Sequence, residues 1–223
     1  MNWSPNINNS VTPASSILYS NTQSHSSSKS IEFYFSAAGG SAPCANYLAE
    51  LDFDLGASYR EVTFLYWMYI PTNYAHYASG SSNNNKFMRL SPTNPPSAGT
   101  ERYGFSTERN SDFVSDMSAE WDDTLGGGMT AHGTFATSII SSSDFGTWVK
   151  FAWYCKAATA RTTGLGIIKM WKNDALVISE TPDSYDAPNT HNFRYGYLLG
   201  AVNSFRSGDT RFYIDDMTVW GNP

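Results

Sequence analysis

The chain has 223 residues, with 14 Lys and Arg against 20 Asp and Glu, so its formal net charge at pH 7 is −6. Charged residues make up only 15% of the chain, and no cluster of Lys or Arg forms the basic face that nucleic-acid binding needs. No apolar run approaches the roughly 20 residues that cross a bilayer as a helix. We therefore expect neither a nucleic-acid partner nor a membrane span.

Residues 1–30 are rich in Ser and Asn and poor in apolar side chains. They lack the basic start and apolar stretch of a secretory signal peptide. We predict an N-terminal arm over 1–30, with Ile17–Tyr19 as its one candidate strand. Either a preceding segment has been removed from this sequence, or an extracellular or virion-surface protein leaves its cell by another route, such as lysis or viral assembly.

From residue 31 onwards the chain alternates as strands do, with turn residues between the strands and no helical period. The predicted strands are Ile31–Phe35, Tyr47–Leu55, Glu61–Ile70, Lys86–Leu90, Arg102–Thr107, Asp112–Met117, Phe135–Ile140, Thr147–Ala157, Gly164–Lys172, Ala175–Ser179, Phe193–Val202 and Arg211–Trp220. This pattern predicts a single all-β domain over 31–223, built as a two-sheet antiparallel β-sandwich.

Glu61–Ile70 is the strongest of these strands, because it is largely β-branched and aromatic. It is apolar on both faces. We therefore predict a central strand with one face in the core and the other under a loop or in a groove.

The two cysteines, Cys44 and Cys155, are far apart in sequence, and whether they are free or bridged stays open. No Cys or His spacing suggests a zinc site, and no cofactor is expected.

Three segments of the last third follow a familiar order. Gly146–Lys150 opens a long aromatic strand, Gly166–Asn173 follows, and Phe212–Val219 closes the series. This order resembles the concanavalin A-like lectin/glucanase superfamily, which includes LamG-like modules and jelly-roll polysaccharide lyases, and where G-x-W, W-x-N/D-G and Y-I-D-D-x-x-V segments are common. Asp174 stands where that pattern has Gly, and Asn85–Leu90 is similar to a segment of the lyase-like members.

The resemblance implies two stacked antiparallel sheets, one of them concave and often carrying a sugar groove. Lyases of this superfamily usually have a catalytic strand rich in Tyr and Lys near the C-terminus. No segment of this sequence is assigned to that strand.

Glu50, Asp52 and Asp54 alternate along one predicted strand, so their side chains should share a face. Clustered carboxyls can separate in pKa into an acid and a nucleophile, as retaining glycosidases require. The segment is similar to the E-x-D-x-E strand of jelly-roll glucanases, with Asp54 in place of the last Glu. The favoured interpretation is a half-buried strand with a solvated polar face, because the intervening residues are apolar.

A lyase needs a base near the acidic ring proton and a group that neutralises the uronate. The residues available for this chemistry are His76, His132, Tyr69, Tyr154, Arg89, Lys86 and Lys150. His76 and His132 lie in predicted loops, where a histidine is usually only solvated. Lys86 and Arg89 are predicted on opposite faces of their strand. If the protein is an enzyme, the catalytic candidates are Glu50, Asp52, Asp54, His76, His132 and Tyr154.

Sugars present flat C–H faces that stack on aromatic rings and hydroxyls that bind polar groups. Strand alternation predicts that several aromatic and basic side chains face outward and could bind an acidic polysaccharide or glycan. This predicted ligand-binding set is Trp67, Tyr69, Arg89, Lys150, Tyr154, Lys169 and Trp171. The alternative, that most of the rings fill the gap between the sheets, stays open.

Asp215 and Asp216 invite comparison with the structural calcium of related modules. Adjacent residues of a regular strand point to opposite faces, so these two cannot simply chelate one ion. Calcium stays an alternative to the absence of any metal.

On these grounds we expect a non-catalytic, lectin-like module of an extracellular particle, such as a phage or virus surface protein for capsid decoration or adhesion. The arm would then dock to a capsid or tail protein. The first alternative is a polysaccharide lyase or glycoside hydrolase acting on an acidic polysaccharide. The second is a purely structural virion protein.

Overall fold

The computed structural model describes residues 1–7, 15–36, 49–74, 84–92, 103–109, 115–121, 130–131, 136–157, 166–181, 192–199 and 208–222. Its strands are Asn2–Ile7 (β1), Ser16–Ser20 (β2), Ser30–Phe35 (β3), Ala49–Tyr59 (β4), Glu61–Tyr69 (β5), Asn84–Ser91 (β6), Tyr103–Arg109 (β7), Ser115–Trp121 (β8), Thr130–Ala131 (β9), Ala136–Ile140 (β10), Trp148–Lys156 (β11), Ile167–Lys172 (β12), Ala175–Glu180 (β13), Phe193–Leu198 (β14) and Thr210–Asn222 (β15). A 3₁₀ turn covers Ser142–Asp144. No helix in these ranges has the length and hydropathy to span a membrane.

In these residues the strands form two antiparallel sheets. Sheet A has the order β1-β4-β14-β6-β7-β8-β10, with β9 paired to β8. Sheet B has the order β13-β12-β11-β5-β15-β3-β2. The predicted two-sheet antiparallel sandwich is confirmed.

The core lies between the two sheets, where inward side chains alternate with outward ones along each strand. In β5, Phe64, Tyr66 and Met68 are fully buried. In β11, Phe151 and Trp153 are fully buried and lie opposite Tyr66 and Phe64. These are the inward residues that period-2 alternation predicts, because only one face of each strand can pack on the other sheet.

Strand β5 is central in sheet B, between β11 and β15, as predicted. Its outer face is partly covered by the loop between β2 and β3, because the His25 ring stacks on Trp67 with 3.9 Å between ring centres. The prediction of a central strand whose second face lies under a loop or in a groove is confirmed, and the first of these two alternatives is the one observed.

Residues 1–30, expected to form an arm, supply strands to the sandwich instead. β1 pairs with β4 at the edge of sheet A, and β2 pairs with β3 at the edge of sheet B. An edge strand buries only part of its surface, so it needs few apolar residues and resembles a polar leader in sequence. Within this stretch, the predicted strand at Ile17–Tyr19 is confirmed.

A β-bulge in β15 turns the side chains of Asp215 and Asp216 towards the same loop, the one between β2 and β3. The pairing with β5 shifts between Asp215 and Thr218, and Asp216 has a positive φ of 52°. The Asp215 carboxylate accepts the backbone N–H of His25 at 2.8 Å, and Asp216 contacts His25 Nδ1 at 2.6 Å. The expectation that these carboxyls point to opposite faces is therefore wrong, because it assumed a regular strand.

The hairpin between β12 and β13 turns at Asn173 and Asp174, which both have positive φ, 47° and 69°. Two-residue hairpins of this type favour Asn, Asp and Gly, because these residues tolerate the left-handed region best. Asp174 therefore takes the conformation for which the superfamily pattern has Gly.

Candidate functional site

The predicted ligand-binding residues are divided between the two sheets. The outer face of sheet B, turned away from sheet A, carries Trp67, Tyr69, Lys150, Tyr154, Lys169 and Trp171. Arg89 lies in β6 of sheet A. His76 and His132 lie outside the described residues. The structure therefore does not gather this set into one groove.

On sheet B, several members of the set are engaged with neighbouring side chains. Trp67 is stacked under His25, and Lys150 Nζ lies 2.7 Å from Asp174 Oδ1. Burial and a hydrogen bond to Glu61 raise the pKa of Tyr154 to about 12. A phenol that holds its proton so firmly is a poor base near neutral pH.

The outer face of sheet A carries the three carboxyls of β4. Glu50, Asp52 and Asp54 are half-buried and alternate with buried apolar residues, so the predicted shared face is confirmed. Their catalytic role stays a prediction.

Two of these carboxyls align with residues of the next two strands, β14 and β6, and so form two rows across three neighbouring strands. In the first row, Tyr197 of β14 lies between Asp52 of β4 and Arg89 of β6. In the second row, Tyr195 lies between Asp54 and Ser91. Directly opposite residues in antiparallel strands have Cβ atoms about 4.5–5.5 Å apart, so each tyrosine lies beside both of its neighbours in the row.

We call this surface the tyrosine–arginine face; its members are Asp52, Asp54, Arg89, Arg194, Tyr195 and Tyr197. Each tyrosine has a guanidinium beside it. The Arg89 guanidinium carbon lies 5.9 Å from the ring centre of Tyr197, and that of Arg194 lies 5.0 Å from the ring centre of Tyr195.

Arg194 reaches this face because the pairing of β14 with β4 is irregular. Phe193 lies opposite Tyr59, but Tyr195 lies opposite Asp54, so β4 contains extra residues between the two pairs. Arg194 consequently forms a two-pronged ion pair with Asp54, with Nε–Oδ1 at 2.9 Å and Nη2–Oδ2 at 3.1 Å.

The pKa values of Asp52 and Asp54 are shifted in opposite directions. The Arg194 hydrogen bonds, and then the Gly56 N–H at 2.8 Å, lower the pKa of Asp54 below its ordinary value. Burial raises the pKa of Asp52, although a hydrogen bond with Glu50 acts against this. Asp54 is therefore an anion that fixes Arg194, whereas Asp52 takes up a proton more readily.

Gly196 allows β14 to lie tightly between its two neighbours. A Cβ atom at this position would overlap the backbone carbonyl oxygen of Arg89 and the ring of Phe53. The absence of a side chain here brings the two tyrosines into register with β4 and β6.

A further irregularity lies in β6, where register shifts between Lys86 and Met88. Residue 86 lies opposite Ser106 of β7, and Arg89 lies opposite Gly104. This shift interrupts the regular alternation between Lys86 and Arg89, and their placement on opposite faces stays a prediction.

Sequence reasoning missed Arg194, Tyr195 and Tyr197, since it treated Phe193–Val202 as an ordinary closing strand. The available signal was the Tyr-Gly-Tyr sequence after an arginine.

The described residues contain no group of three or more His, Cys, Asp or Glu side chains arranged to hold a metal ion. Asp215 and Asp216 accept hydrogen bonds from Ser27 and Ser26 in addition to their contacts with His25. Cys155 is a fully buried free thiol, and burial raises its pKa. Cys44 lies outside the described residues.

No family model matches the chain, and no curated protein matches it in sequence. Several solved structures share its fold. A variant of alginate lyase Aly36B in complex with an alginate trisaccharide aligns with a TM-score of 0.65 and 12% identity over 99% of this chain and 98% of that one. Alginate lyase vAL-1 from Chlorella virus aligns with a TM-score of 0.59 and 9% identity over 92% of this chain and 89% of that one. The endo-β-1,4-glucuronan lyase of the fungus Trichoderma reesei aligns with a TM-score of 0.57 and 11% identity over 94% of this chain and 87% of that one.

The chain therefore shares the two-sheet jelly-roll fold of these three structures, which is the fold that the sequence resemblance implied. The expectation of a non-catalytic, lectin-like particle module is corrected by this finding, because these three similar structures are lyases and favour the enzyme alternative. None of the comparisons bears on a capsid or tail partner.

Proposed function

We propose that the protein is a polysaccharide lyase that cleaves a uronate-containing polysaccharide by β-elimination on the tyrosine–arginine face. The observation that carries the proposal is the placement of Arg89 directly beside Tyr197 on the outer face of sheet A. Lyases of two uronate polymers, alginate and glucuronan, share the fold.

In the proposed reaction, the Arg89 guanidinium neutralises the carboxylate of the uronate ring, which makes the C5 proton more acidic. Tyr197, which lies beside Arg89, acts as the base and removes this proton. The electron pair of the C5–H bond forms a C4–C5 double bond, and the C4–O bond breaks. The departing oxygen takes the proton from Tyr197, so the enzyme returns to its starting state.

Arg194 and Tyr195 lie one row further along the same face. Arg194 is held by Asp54, and its guanidinium lies over the Tyr195 ring. We assign this pair to binding the adjacent sugar, because the ring offers a flat apolar surface and the guanidinium offers donors to a carboxylate.

The test is incubation with alginate, glucuronan and a neutral glucan, with the ultraviolet absorbance of unsaturated uronate and the formation of reducing ends followed together. We expect both signals with a uronate polymer and neither with the glucan. Tyr197→Phe should lower kcat about 10²- to 10⁴-fold, the usual contribution of a proton-transfer group. Tyr19→Phe is the matched control, since this tyrosine is 82% exposed on β2 in sheet B, outside the proposed site.

Arg89→Lys keeps the charge but loses the two-pronged geometry, so it should retain more activity than Arg89→Ala. Reducing ends without unsaturated product would point to hydrolysis by the β4 carboxyls. Absence of product from every uronate polymer, or full activity of Tyr197→Phe, would refute the proposal.

A further inference from the structure

One side of the sandwich carries most of the exposed apolar side chains found in the described residues. Met1, Trp3, Leu18, Tyr19 and Trp220 are 38–82% exposed. The first four of these surround a cleft of about 670 Å³ that also reaches Ile17, Ile31, Leu51, Met217 and Val219 at the sandwich edge. We call this surface the edge patch. A continuous apolar surface of this kind usually marks an interaction site.

The edge patch lies where both sheets end. β1 is the edge strand of sheet A and β2 that of sheet B, and the two strands contact each other. Neither strand contains a charged residue. Edge strands of monomeric proteins are normally protected by charges, proline or bulges; β1 has Pro5, whereas β2 has none of these features.

The sequence of β2 is complementary to itself. Antiparallel pairing of Ser16–Ser20 with a second copy about Leu18 places Leu18 opposite Leu18, Ile17 opposite Tyr19 and Ser16 opposite Ser20. Apolar residues meet apolar residues and serines meet serines, with no like charges opposed. A two-fold interface requires this self-complementarity.

We propose that two copies of the chain associate through β2, across a two-fold axis at Leu18, and join their seven-stranded sheets B into one continuous sheet. The edge patches of both copies are brought next to this junction. The tyrosine–arginine face lies on sheet A, so the interface leaves it open.

A sugar chain is a less suitable occupant of this surface. Sugar sites combine aromatic rings with polar groups that bind hydroxyls. Among the described residues, the lining of the cleft contains no amide and no charged side chain. Its chemistry fits the apolar edge of a second copy.

The test measures molar mass by light scattering and sedimentation at increasing protein concentration. We expect a dimer of twice 24.6 kDa. Leu18→Lys places two like charges opposite each other and should give a monomer that remains folded, since the introduced ammonium group would lie beside Glu32 in its own chain. Leu176→Lys is the matched control, because Leu176 is 52% exposed on β13 at the other edge of the same sheet. This variant should stay dimeric.

A second variant tests the axis directly. Opposed residues in antiparallel strands have Cα atoms about 4.5–5.5 Å apart, which a disulfide can bridge. Leu18→Cys should therefore form a covalent dimer under oxidation, and Leu176→Cys should not. A monomeric native protein at every concentration would overturn the proposal, as would a dimer formed by the Leu18→Lys variant. Loss of polysaccharide retention in Trp3→Ala without a change in mass would instead assign the patch to sugar.

Discussion

Two carboxyls on the same face of β4, only two residues apart, respond to different surroundings. Arg194 donates two hydrogen bonds to Asp54, and these stabilise the anion. Asp52 lies one row further in, beside Tyr197, where burial disfavours its charged form. The geometry of β14 therefore decides which carboxyl is charged, and it predicts opposite pH effects for the two.

Replacement of Asp54 by Asn should lower the melting temperature at neutral pH. The pKa of Asp54 is lower in the folded state than in the unfolded chain, so its stabilising effect is present above its ordinary pKa of 3.8 and is lost as the pH falls through the folded value. The melting curves of the variant and the native protein should therefore converge at low pH. Asp174→Asn, at a carboxyl whose side chain is 78% exposed, is the control and should cause little change in melting temperature at neutral pH.

Replacement of Asp52 by Asn should instead raise the melting temperature at neutral pH. Because burial raises the folded pKa above 3.8, the native state binds more protons than the unfolded chain between the two values, and stability falls as the pH rises through this interval. The variant should melt at a higher temperature than the native protein at pH 7 and lose this advantage below pH 3.8. A lower melting temperature at pH 7 would show that Asp52 is stabilising as an anion.

The loop that crosses sheet B is held by a single strand irregularity. The bulge at Asp215 and Asp216 presents two carboxylates to the backbone and side chain of His25, and the imidazole ring then covers Trp67. Hydrogen bonds from Ser26 and His25 lower the pKa of Asp216, which keeps it charged in this arrangement.

His25→Ala should uncover Trp67 and loosen this loop. The loss of one ring stack and one charged hydrogen bond is worth roughly 1–3 kcal/mol. Quenching of tryptophan fluorescence by acrylamide should increase, and the free energy of unfolding should fall by about this amount. Ser28→Ala, an exposed position in the same loop, is the matched control. Unchanged quenching in His25→Ala would mean that the stacked ring does not shield Trp67.

Strand irregularities also explain what the sequence could and could not predict. Where pairing is regular, as in β5 and β11, alternation predicted the buried residues correctly. The prediction that failed concerns the faces of Asp215 and Asp216, which lie at a register shift. A bulge adds a residue to one strand only, so its position depends on the partner strand and is not visible in local alternation.

The candidate site was harder to predict than the fold because it depends on distant strands. Asp52, Arg89 and Tyr197 come from separate thirds of the chain and meet only because β14 inserts between β4 and β6. Local pattern gives the faces of each strand but not the order of strands within a sheet. Six of the seven aromatic and basic residues predicted to face outward lie on sheet B, where Tyr69 contacts Trp148 and Lys150 pairs with Asp174.

The behaviour of the whole molecule at high pH tests how sheet B holds its tyrosines. Burial is the main cause that raises the pKa of both Tyr154 and Tyr213 from 10.0 to about 12, and nearby Glu61 and Glu32 add to it. In the unfolded chain these phenols lose their protons near pH 10, so their contribution to stability is complete below pH 10 and is lost as the pH rises towards 12.

Tyr213 is only 4% exposed, and its share of this loss should be of the order of 2 kcal/mol. Tyr213→Phe should therefore flatten the fall in melting temperature above pH 10. Phenolate absorbance rising near pH 10 for every tyrosine, without unfolding, would show that these two side chains are hydrated in solution.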